Sequence, residues 1–118
     1  MSAYRRIVAG TDLSPTAAVA TDRAAALARA LGAELVLVHA GTDPDGDLAA
    51  AAERYGARAV VEPGNPADVL VDACEELDAD LLAVGSVGMR GARRFLLGSV
   101  PNKVSHHAPC SVMIIRTT

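Results

Sequence analysis

The amino-acid sequence, 118 residues long, predicts an α/β fold: a doubly wound parallel sheet with helices on both faces. Three observations predict it. Apolar runs of strand length alternate with longer stretches of helical spacing from end to end. Two helix starts carry the same device, a polar cap followed by proline, at Ser14-Pro15 and Asn65-Pro66. The run Leu35-Val36-Leu37-Val38 is apolar at every position, as in a parallel strand covered on both sides. With right-handed crossovers the order is β-α-β-α-β-α-β-α-β. No linker or low-complexity stretch interrupts it, so one domain over 1–118 is expected.

Each element has its local reason. Arg6–Gly10 is a short β-like run ending at a loop. The helix that starts at Ser14-Pro15 runs to about Leu31, where Gly32 ends it, with Ala20, Ala24, Leu27 and Leu31 as its buried stripe. Glu34–Ala40 is the second strand, followed by a polar, acidic turn over 41–46. A short helix, Asp47–Tyr55, stops at Gly56, and the third strand spans 57–62. The next helix spans Pro66–Leu77, with Ala67, Leu70, Cys74 and Leu77 on one side. The fourth strand is expected at 80–84, then a loop over 86–97 with a helical turn at 92–96. A last helix over 100–107 is stopped by Pro109, and the fifth strand covers 111–116.

Composition narrows the class. Residues are 51% hydrophobic but only 3% aromatic, with no Trp, so the core is Ala, Val, Leu and Ile packed closely. No apolar run approaches the roughly 20 residues that span a bilayer. The N-terminal residues lack the apolar stretch and cleavage site of a signal peptide, so the cytosol is the expected compartment and no membrane partner is expected. Two cysteines, Cys74 and Cys110, are too few for a disulfide framework. A net charge of −3 argues against a general nucleic-acid binder. The distribution is more telling: all 14 acidic residues lie at or before Asp80, while Arg90, Arg93, Arg94, Lys103 and Arg116 follow with no acid among them. A solvated basic face would give the same asymmetry, but it coincides with a glycine pattern.

That pattern is Gly85-x2-Gly88-x9-Gly98-Ser99. It leaves a buried strand and re-enters a helix at Gly-Ser. Glycine lets the backbone approach a ligand, and a helix start offers unpaired N–H groups and the positive end of its dipole. The arrangement points to a nucleotide phosphate chain. It is neither G-x4-G-K-S/T nor G-x-G-x-x-G. In doubly wound sheets ligands bind beyond the carboxyl ends of the strands, where strand order reverses. Gly10-Thr11-Asp12, Val38-His39-Ala40 and Gly85 all lie at such ends. Asp12 can accept hydrogen bonds from ribose or an adenine amino group, or simply cap its turn. Ser99 can donate to a phosphate or cap its helix. Arg90 is placed among the phosphate contacts; Arg93 and Arg94 stay open between phosphate, surface and dimer roles.

The same residues resemble the universal stress protein family. Val8-Ala9-Gly10-Thr11-Asp12-Leu13-Ser14 is similar to that family's opening strand and Asp-x-Ser turn. Leu37-Val38-His39-Ala40 is similar to its second strand, and Gly64-Asn65-Pro66-Ala67 to its third-strand exit. Leu96-Leu97-Gly98-Ser99-Val100 and His107-Ala108-Pro109-Cys110-Ser111-Val112 resemble its closing segment, so the likeness covers nearly the whole chain. It implies a five-stranded, Rossmann-like sheet of order 3-2-1-4-5, related to the adenine nucleotide α-hydrolases, that often dimerises. Members with the glycine pattern commonly bind ATP; members without it commonly do not. The resemblance implies that Gly10, Thr11 and Ala40 line the base pocket and that Asp12 meets ribose or adenine. Gly85 and Gly88 would pass close to ribose and phosphates, and Gly98, Ser99 and Val100 would supply the phosphate turn. Two departures are Ala40, where valine is expected, and an abbreviated segment between the second and third strands.

Other clusters carry less. His106-His107-x2-Cys110 is not a recognised zinc set and lacks a fourth ligand, so no metal is assigned to protein side chains. Cys74 reads as packing, and Asp43, Asp45 and Asp47 as a solvated turn. Ser14 has no histidine partner nearby in sequence, and no catalytic residue is assigned. The favoured function is a cytosolic ATP-binding stress-response regulator, with Mg or Mn on the phosphates, homodimeric through its C-terminal strand. The alternatives are a dimeric interaction domain without a working nucleotide site, and a slow ATPase.

Overall fold

The computed structural model describes residues 3–86 and 99–117. Its elements are β1 (Arg6–Gly10), α1 (Pro15–Leu31), β2 (Glu34–Ala40), α2 (Asp47–Tyr55), β3 (Arg58–Glu62), α3 (Pro66–Leu77), β4 (Leu81–Gly85), α4 (Ser99–His107) and β5 (Ser111–Ile115). The strands form one sheet of order β3-β2-β1-β4-β5, and every pairing is parallel. The expected fold class and strand order are therefore present. The helical turn expected at 92–96 lies outside the described residues.

Side chains alternate between two apolar layers. Ile7, Ala9, Leu35, Leu37, Leu81, Ala83 and Ile115 face α1 and α2. Val8, Val36, Val38, Leu82 and Val84 face α3 and Val104 of α4. Burial on both faces is why β1, β2 and β4 read as continuous apolar runs. The edge strand β3 is exposed along most of its length, because the short α2 covers little of it.

The helix ends follow the sequence devices. Ser14 Oγ accepts the Ala17 N–H at 3.1 Å, and Asn65 Oδ1 accepts those of Ala67 and Asp68 at 3.1 and 3.4 Å. Gly32 and Gly56 close their helices in the left-handed conformation, at φ 65° and 64°. One expectation needs correction. The buried stripe of α1 is Ala17, Ala20, Thr21, Ala24, Ala25 and Ala28, whereas Leu31 is exposed and Leu27 only partly buried. The helix sits so close to the sheet that alanines make the contact, which rotates the leucines to its margin.

Two further features differ from expectation. Asp43 is not merely solvated: its carboxylate accepts the N–H groups of Leu48, at 3.1 Å, and Ala49, at 3.2 Å. It thereby caps α2, whose own N-cap position is Gly46 with no side-chain bond. Asp80 precedes β4 rather than opening it. Its Oδ2 accepts the Arg5 and Arg6 N–H groups, both at 2.9 Å, and these bonds hold its pKa below the ordinary carboxylate value. Arg6 also donates from its guanidinium to the Leu77 carbonyl. Together these contacts fasten the amino-terminal edge of the sheet and leave the opposite edge for a site.

Candidate nucleotide site at the strand carboxyl ends

The site is defined by where strand pairing stops. β1 and β4 pair only from Ile7↔Leu81 to Ala9↔Ala83. Beyond that, β1 stays with β2 through Gly10↔Val38, and the Thr11 N–H donates to the Val38 carbonyl at 3.0 Å. Meanwhile β4 stays with β5 through Gly85↔Ile115, and the Ser86 N–H donates to the Ile115 carbonyl at 2.8 Å. The two central strands thus part after Ala9 and Ala83, and the crevice expected at the reversal point of a doubly wound sheet falls between Gly10 and Gly85. This is the point where crossovers leave in opposite directions.

The β1–α1 turn forms one wall. Thr11 Oγ1 accepts the Leu13 N–H at 3.0 Å, and Asp12 Oδ1 accepts the Ser14 N–H at 2.9 Å. These bonds hold Leu13 at φ 64°, a left-handed conformation that non-glycine residues rarely take. The turn-capping role of Asp12 is therefore present. Its other oxygen, Oδ2, has no hydrogen-bond partner among the described residues, and the side chain is exposed. One carboxylate can fix the turn through one oxygen and offer the second to a ligand hydroxyl or amine.

His39 was given no role by sequence reasoning, yet it braces this wall. Its Nδ1 lies 2.9 Å from the Thr11 carbonyl oxygen, the geometry of an Nδ1–H donor. The available signal was a lone imidazole near the end of an apolar strand. The ring also crowds the next turn: a Cβ on Gly41, which has φ 139°, would stand 3.1 Å from His39 Nε2. The positive φ is what favours glycine at 41, and an added Cβ would also press on the ring.

The remaining candidates divide. Gly10 lies at the crevice, but a Cβ there would meet Leu70 Cδ1 at 2.7 Å and Val84 Cγ1 at 3.3 Å. Its missing side chain therefore makes room for α3. Ala40 is half-buried at the end of β2, beside Glu62 of β3, and packs on the α3–α4 layer. Ser99 is exposed as the first residue of α4, and Val100 turns its side chain into the α3–α4 layer. Pro101 has no N–H, so the described first turn of α4 offers an anion the N–H groups of Ser99 and Val100. Gly88, Arg90 and Gly98, with Arg93 and Arg94, lie outside the described residues. A separate cleft of about 340 Å³ runs along β3 and α3, lined by Arg58, Glu62, Asp72 and Glu76 among others, and includes none of these positions. No group of three or more metal-ligating side chains occurs among the described residues, and no described helix is long and apolar enough to cross a membrane.

A five-stranded doubly wound domain whose central strands part at its reversal point is the class that fold and site define. The chain belongs to the universal stress protein family, whose model matches residues 3–59 and 45–116. The overlap of the two stretches covers the short α2. The universal stress protein Rv1636 of Mycobacterium tuberculosis is 37% identical to the chain, over 100% of both. Among solved structures, a universal stress protein in complex with cAMP superposes with a TM-score of 0.84 at 35% identity, covering 99% of this chain and 100% of that one. A universal stress protein from Archaeoglobus fulgidus gives a TM-score of 0.70 at 27% identity, over 95% of this chain and 93% of that one.

Proposed function

We propose that the chain, acting as a single domain, is a cytosolic stress-response regulator that binds ATP in the crevice between β1 and β4. The observation that carries this reading is the parting of those strands after Ala9 and Ala83, with the Asp12 turn directly after β1. The relative solved with cAMP supports adenine nucleotide as the ligand class. The sequence pattern Gly85-x2-Gly88-x9-Gly98-Ser99 supports a triphosphate, since it brings flexible backbone and α4 N–H groups to an anion.

In this reading Gly10, Thr11 and Ala40 border the base, and Asp12 Oδ2 accepts from ribose or adenine. Gly85 and Gly88 run along the ribose and phosphates, and Gly98, Ser99, Val100 and Arg90 hold the phosphate end. The donor set fits a triphosphate: the Ser99 and Val100 N–H groups at the start of α4, one hydroxyl and a cationic segment free of acids. Mg2+ or Mn2+ would ride on the phosphates and neutralise them. No residue is assigned to position a water for attack on the γ-phosphate, and slow hydrolysis stands as the alternative. The protein would pair as a homodimer through the β5 edge.

Titration calorimetry with Mg-ATP, ADP, AMP and cAMP tests the ligand. The expected order is ATP tightest, with Gly98→Val abolishing binding while the far-ultraviolet spectrum is retained. No heat from any of the four near millimolar concentration would leave an interaction domain as the better reading. ADP accumulating above a no-enzyme control would instead favour the slow ATPase.

A further inference from the structure

β3 lies at the edge of the sheet opposite β5, pairs with β2 alone and is exposed at every position but Val60. Its backbone groups alternate in direction along the strand. The Glu62 carbonyl accepts the Gly41 N–H at 2.8 Å, so the polar groups of Arg58, Val60 and Glu62 point at β2. Those of Ala59 and Val61 therefore point away from β2, toward the open edge. The strand reads Arg58-Ala59-Val60-Val61-Glu62, which is complementary to itself in the reverse direction. When two copies lie antiparallel about Val60, Arg58 stands opposite the second copy's Glu62, and Ala59 opposite its Val61. Sliding the pair by two residues sets Arg58 against Val60 and loses the ion pairs. A parallel pair sets Arg58 against Arg58.

We propose that β3 is a self-association surface, on which a second copy of this chain adds edge to edge and antiparallel in the register centred on Val60. In that register Ala59 and the second copy's Val61 both point outward and exchange backbone hydrogen bonds. Val60 faces itself across the axis in a non-hydrogen-bonded pair, where Cα atoms stand about 4.5 Å apart. The ladder stops where the ion pairs do. The Ala57 N–H already donates to the Ala52 carbonyl at 2.7 Å, and Pro63 has no N–H to give.

Charge on the same face supports this occupant. α3 packs over β2 and β1 and leaves a cleft of about 340 Å³ beside β3. Arg58, Val60 and Glu62 line its strand side, and Asp72 and Glu76 line its helix side. The cleft thus carries the carboxylates of Glu62, Asp72 and Glu76 against one guanidinium, and that guanidinium donates to Glu34 Oε1 at 3.2 Å. The second copy's Arg58 brings the cation that the acidic side lacks. A strand of 5 residues makes a small, solvent-exposed contact, so the association is weak, rises with concentration and falls with salt. It uses neither β5 nor the crevice at the strand carboxyl ends.

Sedimentation equilibrium of the full chain carrying Met113→Lys, which blocks the β5 edge, isolates β3. The mean mass should climb with concentration toward twice the chain mass, and less steeply in high salt. Arg58→Glu and Glu62→Arg, each added to that chain, should weaken association roughly tenfold, because like charges then stand opposite one another at both ends of the pair. An equimolar mixture of the two variants should recover it, since every facing pair is again opposite in sign. Under mild oxidation Val60→Cys should link two copies, with mass spectrometry mapping the bond to position 60 in each. Ala59→Cys, which lies off the axis, should not. Association that neither charge variant weakens, or that mixing fails to restore, would overturn the proposal; the second result would point to a basic partner in the cleft. A Met113→Lys chain that stays monomeric at every concentration would refute pairing through β3 and leave the β5 and nucleotide readings untouched.

Discussion

Asp80 holds two backbone N–H groups at the start of β1 with a single carboxylate oxygen. Its pKa is lower in the folded chain than in the unfolded one, so the unfolded state binds the proton more readily. The stabilisation is therefore complete above the unfolded value of about 3.9 and is lost as pH falls through the folded value. Urea titrations below about pH 4 should show Asp80→Asn to be less acid-sensitive than the parent. Equal acid slopes would contradict that role. At Gly10 the relevant neighbour is Leu70, whose methyl carbon would stand 2.7 Å from an added Cβ. Gly10→Ala should cost about 1–3 kcal/mol by crowding. In a Leu70→Ala background the same change should cost clearly less, and a double-mutant cycle would measure the difference.

At the scale of elements, α2 depends on a cap supplied from outside it. Asp43 accepts from Leu48 and Ala49, while Gly46 at the N-cap position contributes no side chain. Asp43→Ala should lower stability by about 1 kcal/mol. Amide exchange should quicken in the first turn of α2 and leave α1 and α3 unchanged. The elements themselves were largely legible in the sequence. β1, β2 and α2 have the bounds expected of them, because glycines, prolines and apolar runs mark those ends directly. Two misreadings share one cause, namely that side-chain size or charge was taken as a guide to burial. In α1 the leucines looked like the core, yet close seating on the sheet selects alanines. In the 41–46 turn an acidic run looked solvated, yet one of its members reaches forward to a helix. Of the site, the converging strand ends could be read from topology rules. The bracing of Thr11 by His39 could not, since it joins residues 28 positions apart.

For the whole molecule, the sheet has two uncovered edges, β3 and β5, and the apolar one is β5. β5 pairs with β4 on one side only, and Met113 is 37% exposed. A lone apolar edge strand invites pairing with another chain. Light scattering should give twice the chain mass for the parent, and Met113→Lys should shift the population toward monomer. A monodisperse monomer at high concentration would remove the dimer from the proposed function.

The short β1–β4 seam has a further consequence for how the molecule could be taken apart. The backbone crosses it once, in the turn from α3 to β4, so everything ahead of the turn builds β3-β2-β1 and everything after it builds β4-β5. With the cut placed after Asp80, the acidic residues all fall in the first piece and the charged side chains of the second are all cationic. The domain is thus two oppositely charged polypeptides joined by one covalent hinge, with α1 lying across β1 and β4 as a staple. Cut in that turn, the pieces should find each other faster in dilute buffer than in high salt, because screening removes their attraction. Stopped-flow reassembly at two salt concentrations would measure it, and a salt-independent rate would show that shape alone brings the two together.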